Sequence, residues 1–291
     1  MKIIRAEHLG MCFGVRDAIA LALQEANNKP LTILGELVHN EAVLADLRKK
    51  GIQTETQVAT VTTRTVMVTA HGASQRTLTL ARARGLDVLE ATCPLVHLAH
   101  RSLAALRRAG YHPVVIGKRN HVEVRGMTED LDEVDVVLSE ADVNCLKERP
   151  RFGVVAQTTQ PILKVRHLVR LIQERFPQSD VQFSDTVCQP TKQRQTAAME
   201  VARQSDAVVV VGGAESNNTH ELVTTCSQFC RRVFHVQEAS QLHPEWFVEA
   251  QTIGITAGTS TPARVIDEVE QWLRQRFVSP STSSISGTFR T

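Results

Sequence analysis

Apolar residues in this chain follow two spacings, one typical of helices and one typical of short buried strands. Helical spacing begins directly after Cys12, again after Cys93 and again after Cys188. Pro94 and Pro190 stand in the opening turn of the second and third of these segments, where a helix tolerates proline. The pattern therefore predicts three helices that each begin at a cysteine.

Each predicted helix leads into a short apolar strand that ends in a glycine and a polar loop. These strands are predicted at residues 31–34, 113–116 and 207–211, and a second strand with its own polar loop follows in each unit, from Val66, Gly153 and Ile253. Strands that alternate with helices form parallel sheets covered by helices. Ligands gather at the carboxyl ends of such strands, where all of these loops and cysteines fall.

The threefold repetition predicts an α/β fold of three pseudo-repeated lobes with small, mostly parallel sheets around one centre. Lobe 1 is predicted at residues 1–92, with the N-terminal strand and Cys12. Lobe 2 is predicted at residues 93–187 and lobe 3 at residues 188–276. Residues 277–291 are rich in Ser and Thr and are predicted to form a flexible tail.

Composition narrows the functional classes. The 291 residues carry a net charge of +2 without a polybasic run, and only 4% are aromatic, which disfavours binding of single-stranded nucleic acid. No signal-peptide core and no apolar run of about 20 residues is visible. These features predict a cytoplasmic protein that contacts neither nucleic acid nor membrane. In that reducing compartment, cysteines serve as thiols or metal ligands rather than as disulfides.

The equivalent positions of Cys12, Cys93 and Cys188 indicate a shared role. Thiolates are soft ligands for zinc or for an iron–sulfur cluster, and the paired Cys-x-x-Cys of structural zinc sites does not occur here. Buried, inert cysteines are the alternative interpretation. The remaining cysteines have no equivalent positions and are interpreted as structural: Cys145, Cys226 and Cys230.

The polar loops supply neutral or weakly basic donors that can hold a multiply charged diphosphate together with helix N-termini. The predicted set comprises His39, His71, His121, Thr158, Ser216, Asn217, Asn218 and Ser260. Glu123 is the one carboxylate in the innermost run of its loop. Burial would raise its pKa and make it a proton donor, whereas a solvated surface glutamate is the alternative.

Eight segments in order resemble the 4-hydroxy-3-methylbut-2-enyl diphosphate reductase (LytB/IspH) family, over nearly the whole chain to about Arg276. They are Gly10-x-Cys12-Phe13-Gly14-Val15, Val38-His39-Asn40, Ala70-His71-Gly72, Ala91-Thr92-Cys93-Pro94-Leu95, His121-x-Glu123-Val124-x-Gly126, Gln157-Thr158-Thr159, Asp185-Thr186-x-Cys188 and Thr256-Ala257-Gly258-x-Ser260-x-Pro262.

The resemblance implies a trefoil-like fold around one 4Fe–4S cluster on Cys12, Cys93 and Cys188, with one iron open to the substrate hydroxyl. It also implies that Glu123 relays protons. The implied reaction is reductive dehydroxylation to isopentenyl and dimethylallyl diphosphate, the last step of the non-mevalonate isoprenoid pathway. A ferredoxin or flavodoxin would supply the electrons, because the chain has no dinucleotide-binding glycine motif.

One polar loop departs from the family pattern. Glu215 stands where the family usually has a neutral residue, and His220 and Glu221 stand where it often has Lys or Arg. A carboxylate that touches a diphosphate is unfavourable by roughly 1 kcal/mol even in water. Two other functions stay open at this point: a dehydratase or hydro-lyase for another phosphorylated alcohol, and a sensor or binding module without catalysis.

Overall fold

The computed structural model describes residues 1–277 and arranges them in three separate parallel sheets, each flanked by helices. The predicted α/β fold of three repeated units is therefore confirmed. The tail predicted at residues 277–291 lies outside the described residues except for Phe277, which ends the last helix. No helix among the described residues has both the length and the apolar character that crossing a bilayer requires.

The first sheet consists of β2 (Leu31–Leu34), β3 (Gln53–Glu55), β4 (Thr65–Val68) and β5 (Asp87–Glu90). Its strands lie in the order β3–β2–β4–β5 and all pair in parallel. The helices of this part of the chain are α1 (Phe13–Ala26), α2 (Glu41–Lys49) and α3 (Gln75–Ala83).

The second sheet has the order β7–β6–β8–β9, again parallel throughout. Its strands are β6 (His112–Ile116), β7 (Asp135–Val137), β8 (Arg151–Ala156) and β9 (Asp180–Phe183). The accompanying helices are α4 (Pro94–Arg108), α5 (Val122–Thr128), α6 (Glu140–Cys145) and α7 (Ile162–Arg175).

The third sheet contains β10 (Ala207–Val211), β11 (Val233–Val236) and β12 (Thr252–Ala257), with α8 (Gln189–Arg203), α9 (Asn217–Ser227) and α10 (Ala263–Phe277) as its helices. Every residue of β10 is buried, because helices cover both faces of the sheet. Four of its five residues are valine, which suits a fully buried strand.

The N-terminal strand β1 (Lys2–Arg5) was predicted to belong to the first lobe, and the structure corrects this placement. It pairs in parallel with β12 and forms an edge of the third sheet, in the order β1–β12–β10–β11. The reason is packing: Ile3 and Ile4 contact apolar residues of the third sheet and its helices rather than those of the first.

With β1 in that place, the three sheets share one pattern. In each, an edge strand leads directly to one of the three cysteines, which begins the first helix of the next unit. Strand β1 precedes Cys12, β5 precedes Cys93 and β9 precedes Cys188. The chain therefore passes from one sheet to the next through a cysteine, and β1 closes the ring.

Candidate active site

Cys12, Cys93 and Cys188 are the N-cap residues of α1, α4 and α8, as the sequence predicts. The helical dipole and the free amides of a first turn favour an anionic thiolate at this position. All three thiols are free and half-buried. Pro94 and Pro190 lie in the opening turns of their helices, as predicted.

A repeated hydrogen bond fixes the backbone of each cysteine against the preceding sheet. The Cys12 amide donates to the Thr259 carbonyl, the Cys93 amide to Ala70 and the Cys188 amide to Thr158, each at 3.0 Å. These acceptors belong to the polar loops that follow β12, β4 and β8. The backbone of each cysteine is therefore hydrogen-bonded to a loop that carries predicted substrate-binding residues.

The three cysteine segments lie near one another. An alanine Cβ at Gly14, in the first turn of α1, would lie 2.7 Å from Cys93 Sγ, so this glycine leaves the space that the thiol occupies. Burial raises the pKa of Cys93 and of Cys188, and the charge of Cys12 raises both further. Cys12 therefore lies close enough to Cys93 and Cys188 for its charge to act on both thiols, although the three residues are far apart in the chain.

Three imidazoles form the second cluster. The ring centroids of His39, His71 and His121 lie 5.4 to 5.7 Å apart, and one nitrogen from each lies within 4.8 Å of the others. Burial lowers the pKa of His71 well below its ordinary value and that of His121 to about 4. These two rings are therefore neutral near pH 7.

The tautomer of His121 follows from its position as the N-cap of α5. Its Nδ1 accepts a hydrogen bond from the Glu123 amide at 3.2 Å. An accepting Nδ1 carries no proton, so the neutral ring carries its proton on Nε2. The ring is then a hydrogen-bond donor to any ligand that reaches Nε2.

The loop after β10 supplies amide donors. Asn218 Oδ1 accepts from the Thr259 amide at 3.0 Å, which leaves its Nδ2 free to donate. Within residues 1–277, the Nδ2 atoms of Asn217 and Asn218 are buried and have no protein acceptor. Buried donors without a partner are costly, and they suit a ligand rich in acceptor oxygens.

These groups surround one narrow cavity of about 30 Å³, which has space for one or two water molecules. The lining residues are Val15, Val38, His39, His71, His121, Thr159, Ser216, Asn217, Asn218, Thr259 and Ser260. The structure thus brings together seven of the eight residues predicted for a diphosphate.

Thr158 is the eighth, and its side chain contacts Glu123 rather than lining the cavity. Its amide donates to Glu123 Oε1 at 2.6 Å and its hydroxyl donates to Oε2 at 3.0 Å. The adjacent Thr159 lines the cavity instead. Side chains alternate in direction along an extended segment, and the sequence gives no phase at the end of a strand.

Glu123 is 1% exposed, so the alternative of a surface glutamate is wrong. Burial raises its pKa to about 7, and the two hydrogen bonds from Thr158 oppose that rise. The charge of Glu123 also raises the pKa values of Cys93 and Cys188. A carboxylic acid that is partly protonated near neutral pH therefore lies close to the thiols, and its own helix begins at the cavity residue His121.

The raised pKa of Glu123 gives a prediction about stability. The folded pKa of about 7 exceeds the ordinary value of 4.5, so the contribution of Glu123 to stability is fully present below pH 4.5 and is lost as pH rises through 7. The difference corresponds to about 3 kcal/mol. In urea unfolding of metal-free protein, Glu123→Gln should gain about this much over wild type between pH 4 and 9. An identical pH dependence in both proteins would contradict the raised pKa.

The three residues at which the loop after β10 departs from the family pattern do not line the cavity. Glu215 is exposed and does not line it. His220 Nε2 contacts the Ala214 carbonyl on the outside of the loop. Glu221 lies in a separate groove between α7, α8 and α9, where burial raises its pKa and the charge of Lys164 offsets part of that rise.

Gly213 allows a close approach between the first and third units. An alanine Cβ at Gly213 would lie 2.0 Å from the His39 carbonyl oxygen, which is backbone and has no freedom to rotate away. The Ser260 hydroxyl donates to the same carbonyl at 3.3 Å. Gly213 therefore sets the distance between His39 and the third sheet.

We expect Gly213→Ala to destabilise the protein by roughly 1–3 kcal/mol and to displace His39, because overpacking against backbone forces the chain apart. Gly126→Ala is the matched control, since its Cβ would meet nothing closer than 3.5 Å and alanine favours the helix. Thermal unfolding measures both variants. Equal melting temperatures would contradict the close contact at Gly213.

Sequence reasoning missed Arg194, which is 8% exposed on α8 and hydrogen-bonds to the Gly10 and Pro190 carbonyls. A signal was available: polar residues at 191, 194 and 195 share the helix face that also presents Ala198 and Ala202. Polar side chains on a buried helical face require partners.

The fold consists of three α/β units, each of which places a free cysteine at a helix N-terminus. The sequence profile described as "LytB protein" matches residues 3–274. The chain belongs to this LytB family, and the names of its relatives identify it as an oxidoreductase.

Relatives support the assignment over most of the chain. The chain is 35% identical over 271 residues to the 4-hydroxy-3-methylbut-2-enyl diphosphate reductase of Pelobacter propionicus, covering 92% of this chain and 96% of that protein. It is 38% identical over 272 residues to the reductase of the same name from Citrifermentans bemidjiense, covering 92% and 95%.

Two solved structures share the fold. The E-1-hydroxy-2-methyl-but-2-enyl-4-diphosphate reductase of Plasmodium falciparum is 25% identical with a TM-score of 0.88, covering 94% of this chain and 88% of that one. The solved (E)-4-hydroxy-3-methyl-but-2-enyl diphosphate reductase that is described as the terminal enzyme of the non-mevalonate pathway is 31% identical with a TM-score of 0.67, covering 94% of this chain and 100% of that one.

Proposed function

We propose that this oxidoreductase removes the hydroxyl group of 4-hydroxy-3-methylbut-2-enyl diphosphate and releases isopentenyl and dimethylallyl diphosphate. This is the last step of the non-mevalonate isoprenoid pathway. The observation that carries the proposal is the placement of a donor-lined cavity beside a protonatable Glu123 and three helix-capping cysteines. The names of the relatives support the choice of substrate.

Cys12, Cys93 and Cys188 fit a 4Fe–4S cluster by their chemistry. They are free soft donors at helix N-termini, where a thiolate is favoured. The other cysteines lie elsewhere. Cys226 and Cys230 are packed in the core of the third sheet, and Cys145 is the exposed last residue of α6. When bound, a cluster with three cysteine ligands supplies electrons and one iron whose open position acts as a Lewis acid.

The diphosphate would be held by neutral donors rather than by lysines. His121 offers Nε2–H, and His39 and His71 stand beside it. Asn217 and Asn218 offer their unpartnered Nδ2 atoms, and Ser216 and Ser260 offer hydroxyl groups. The N-terminus of α9 adds its amides and dipole.

Glu123 would deliver a proton to the departing hydroxyl oxygen so that it leaves as water. A donor with a pKa of about 7 is well matched to this task near neutral pH. Thr158 would act through Glu123, because its amide and hydroxyl hold both carboxyl oxygens in place. Overall the substrate takes up two electrons and two protons and loses one water, and the second proton adds at either end of the allylic unit.

The electrons would come from a small one-electron carrier such as a ferredoxin or a flavodoxin. We propose a cytoplasmic location, where a reducing environment keeps the thiols free. We also propose that the chain is organised in three lobes, at residues 1–92, 93–187 and 188–276. The first lobe contributes strand β1 to the sheet of the third lobe.

The direct test is anaerobic incubation of the iron-loaded protein with 4-hydroxy-3-methylbut-2-enyl diphosphate and an artificial one-electron donor. Both five-carbon diphosphates should form, and none should form when the donor is omitted. A product that forms without the donor would instead indicate a dehydratase. An iron-loaded protein that binds the substrate and never converts it would indicate a binding module.

A further inference from the structure

Arg194 is a buried cation that joins two of the cysteine segments. Its side chain is 8% exposed on α8. Nε donates to the Gly10 carbonyl at 2.9 Å and Nη1 donates to the Pro190 carbonyl at 3.0 Å. Gly10 lies two residues before Cys12 and Pro190 lies two residues after Cys188. One planar guanidinium therefore holds the backbone before Cys12 against the first turn of α8, two segments that are far apart in the chain.

The charge of Arg194 has no carboxylate partner. Among residues 1–277, no Asp or Glu oxygen lies within 4.0 Å of its nitrogens, although sixteen other pairs reach that distance. A buried cation without a counter-ion costs several kcal/mol. The anion that offsets this cost must therefore come from another group.

Cys12 and Cys188 are the groups that favour the charged guanidinium. Burial and the charge of Arg16 lower the pKa of Arg194, and the two cysteines raise it. A guanidinium stays protonated in proteins, so Arg194 places a fixed positive charge between the Cys12 and Cys188 segments. The backbone clamp and the charge thus act on the same pair of residues.

We propose that Arg194 positions Cys12 relative to Cys188 and that its charge raises the reduction potential of the cluster these cysteines hold. This inference rests on the proposed function. Adding an electron to an anionic cluster increases its negative charge, and a nearby cation in a low-dielectric interior stabilises the reduced state. Arg194 touches neither substrate nor reacting atoms and is therefore a positioning residue.

The test compares Arg194→Gln and Arg194→Lys with wild type in anaerobic redox titrations without substrate, followed by electron paramagnetic resonance. Removal of the charge should shift the reduction equilibrium about tenfold toward the oxidised cluster, a potential lower by about 59 mV for one electron. Lysine should restore most of the potential. Arg203→Gln is the matched control, because Arg203 lies exposed on the same helix and stacks on Phe229.

A loaded Arg194→Gln cluster with the wild-type potential would overturn the inference. Should the Gln variant bind no iron, the lysine variant decides: a loaded cluster near the wild-type potential supports the charge, and an unloaded or low-potential one overturns it. Wild-type protein that holds no cluster would refute the proposed function itself. If wild type holds a cluster and its reduction potential equals that of the loaded Arg194 variants, this inference is refuted and the proposed function is not.

Discussion

Glu123→Gln is expected to keep its iron and to lose about 10²–10⁴-fold in turnover, the usual contribution of a general acid. Glutamine keeps the size of the side chain and an oxygen that accepts from Thr158, but it has no proton to give. Substrate affinity should change little, because Glu123 does not line the cavity. The measurement is anaerobic turnover with an artificial donor, together with iron content.

Glu215→Gln is the matched control for this prediction. It removes one carboxylate from the loop that departs from the family pattern, yet its side chain is exposed and outside the cavity. Its turnover should stay within a few-fold of wild type. If Glu123→Gln were equally active, the proton would have to come from another group, and Glu123 would lose its assigned role.

The second large effect is expected for Cys93→Ser, which should lose most of its iron together with its activity. Serine is a harder and weaker ligand than thiolate, and binding of metal and order of the surrounding loops are coupled. Iron and sulfide are quantified after anaerobic purification, with circular dichroism to confirm that the variant is folded.

Cys145→Ser is the control for the cysteine series. Cys145 ends α6, is exposed and belongs to none of the helix N-termini at the centre. Its iron content should equal that of wild type. Full iron content in Cys93→Ser would count against Cys93 as a ligand, and loss of iron in both variants would indicate a general effect of removing a thiol.

Much of the fold was predictable because the buried strands and the helices after the cysteines carry strong apolar patterns. The strands predicted at 31–34 and 207–211 match β2 and β10 residue for residue. Strand β3 was missed because Gln53–Glu55 is polar and largely exposed, so no alternation marks it. It exists because its backbone pairs with β2, a partner that lies many residues away.

The site was predictable to the level of loops but not of individual contacts. His39, His71 and His121 were predicted from equivalent strand ends, and the structure places their rings in contact. Whether Thr158 or Thr159 lines the cavity depends on the direction of side chains at the end of β8, which the sequence does not show. Strand β1 was misplaced because proximity in sequence says nothing about which sheet offers an apolar edge.

The most direct test of the central claim is Mössbauer spectroscopy of ⁵⁷Fe-loaded wild-type protein before and after addition of substrate. Three cysteine ligands on a 4Fe–4S cluster leave one iron different from the other three. We predict about four irons per chain, with only the distinct quarter of the signal changing when substrate binds. A two-iron centre, or four equivalent irons that do not respond to substrate, would contradict the shared three-cysteine site.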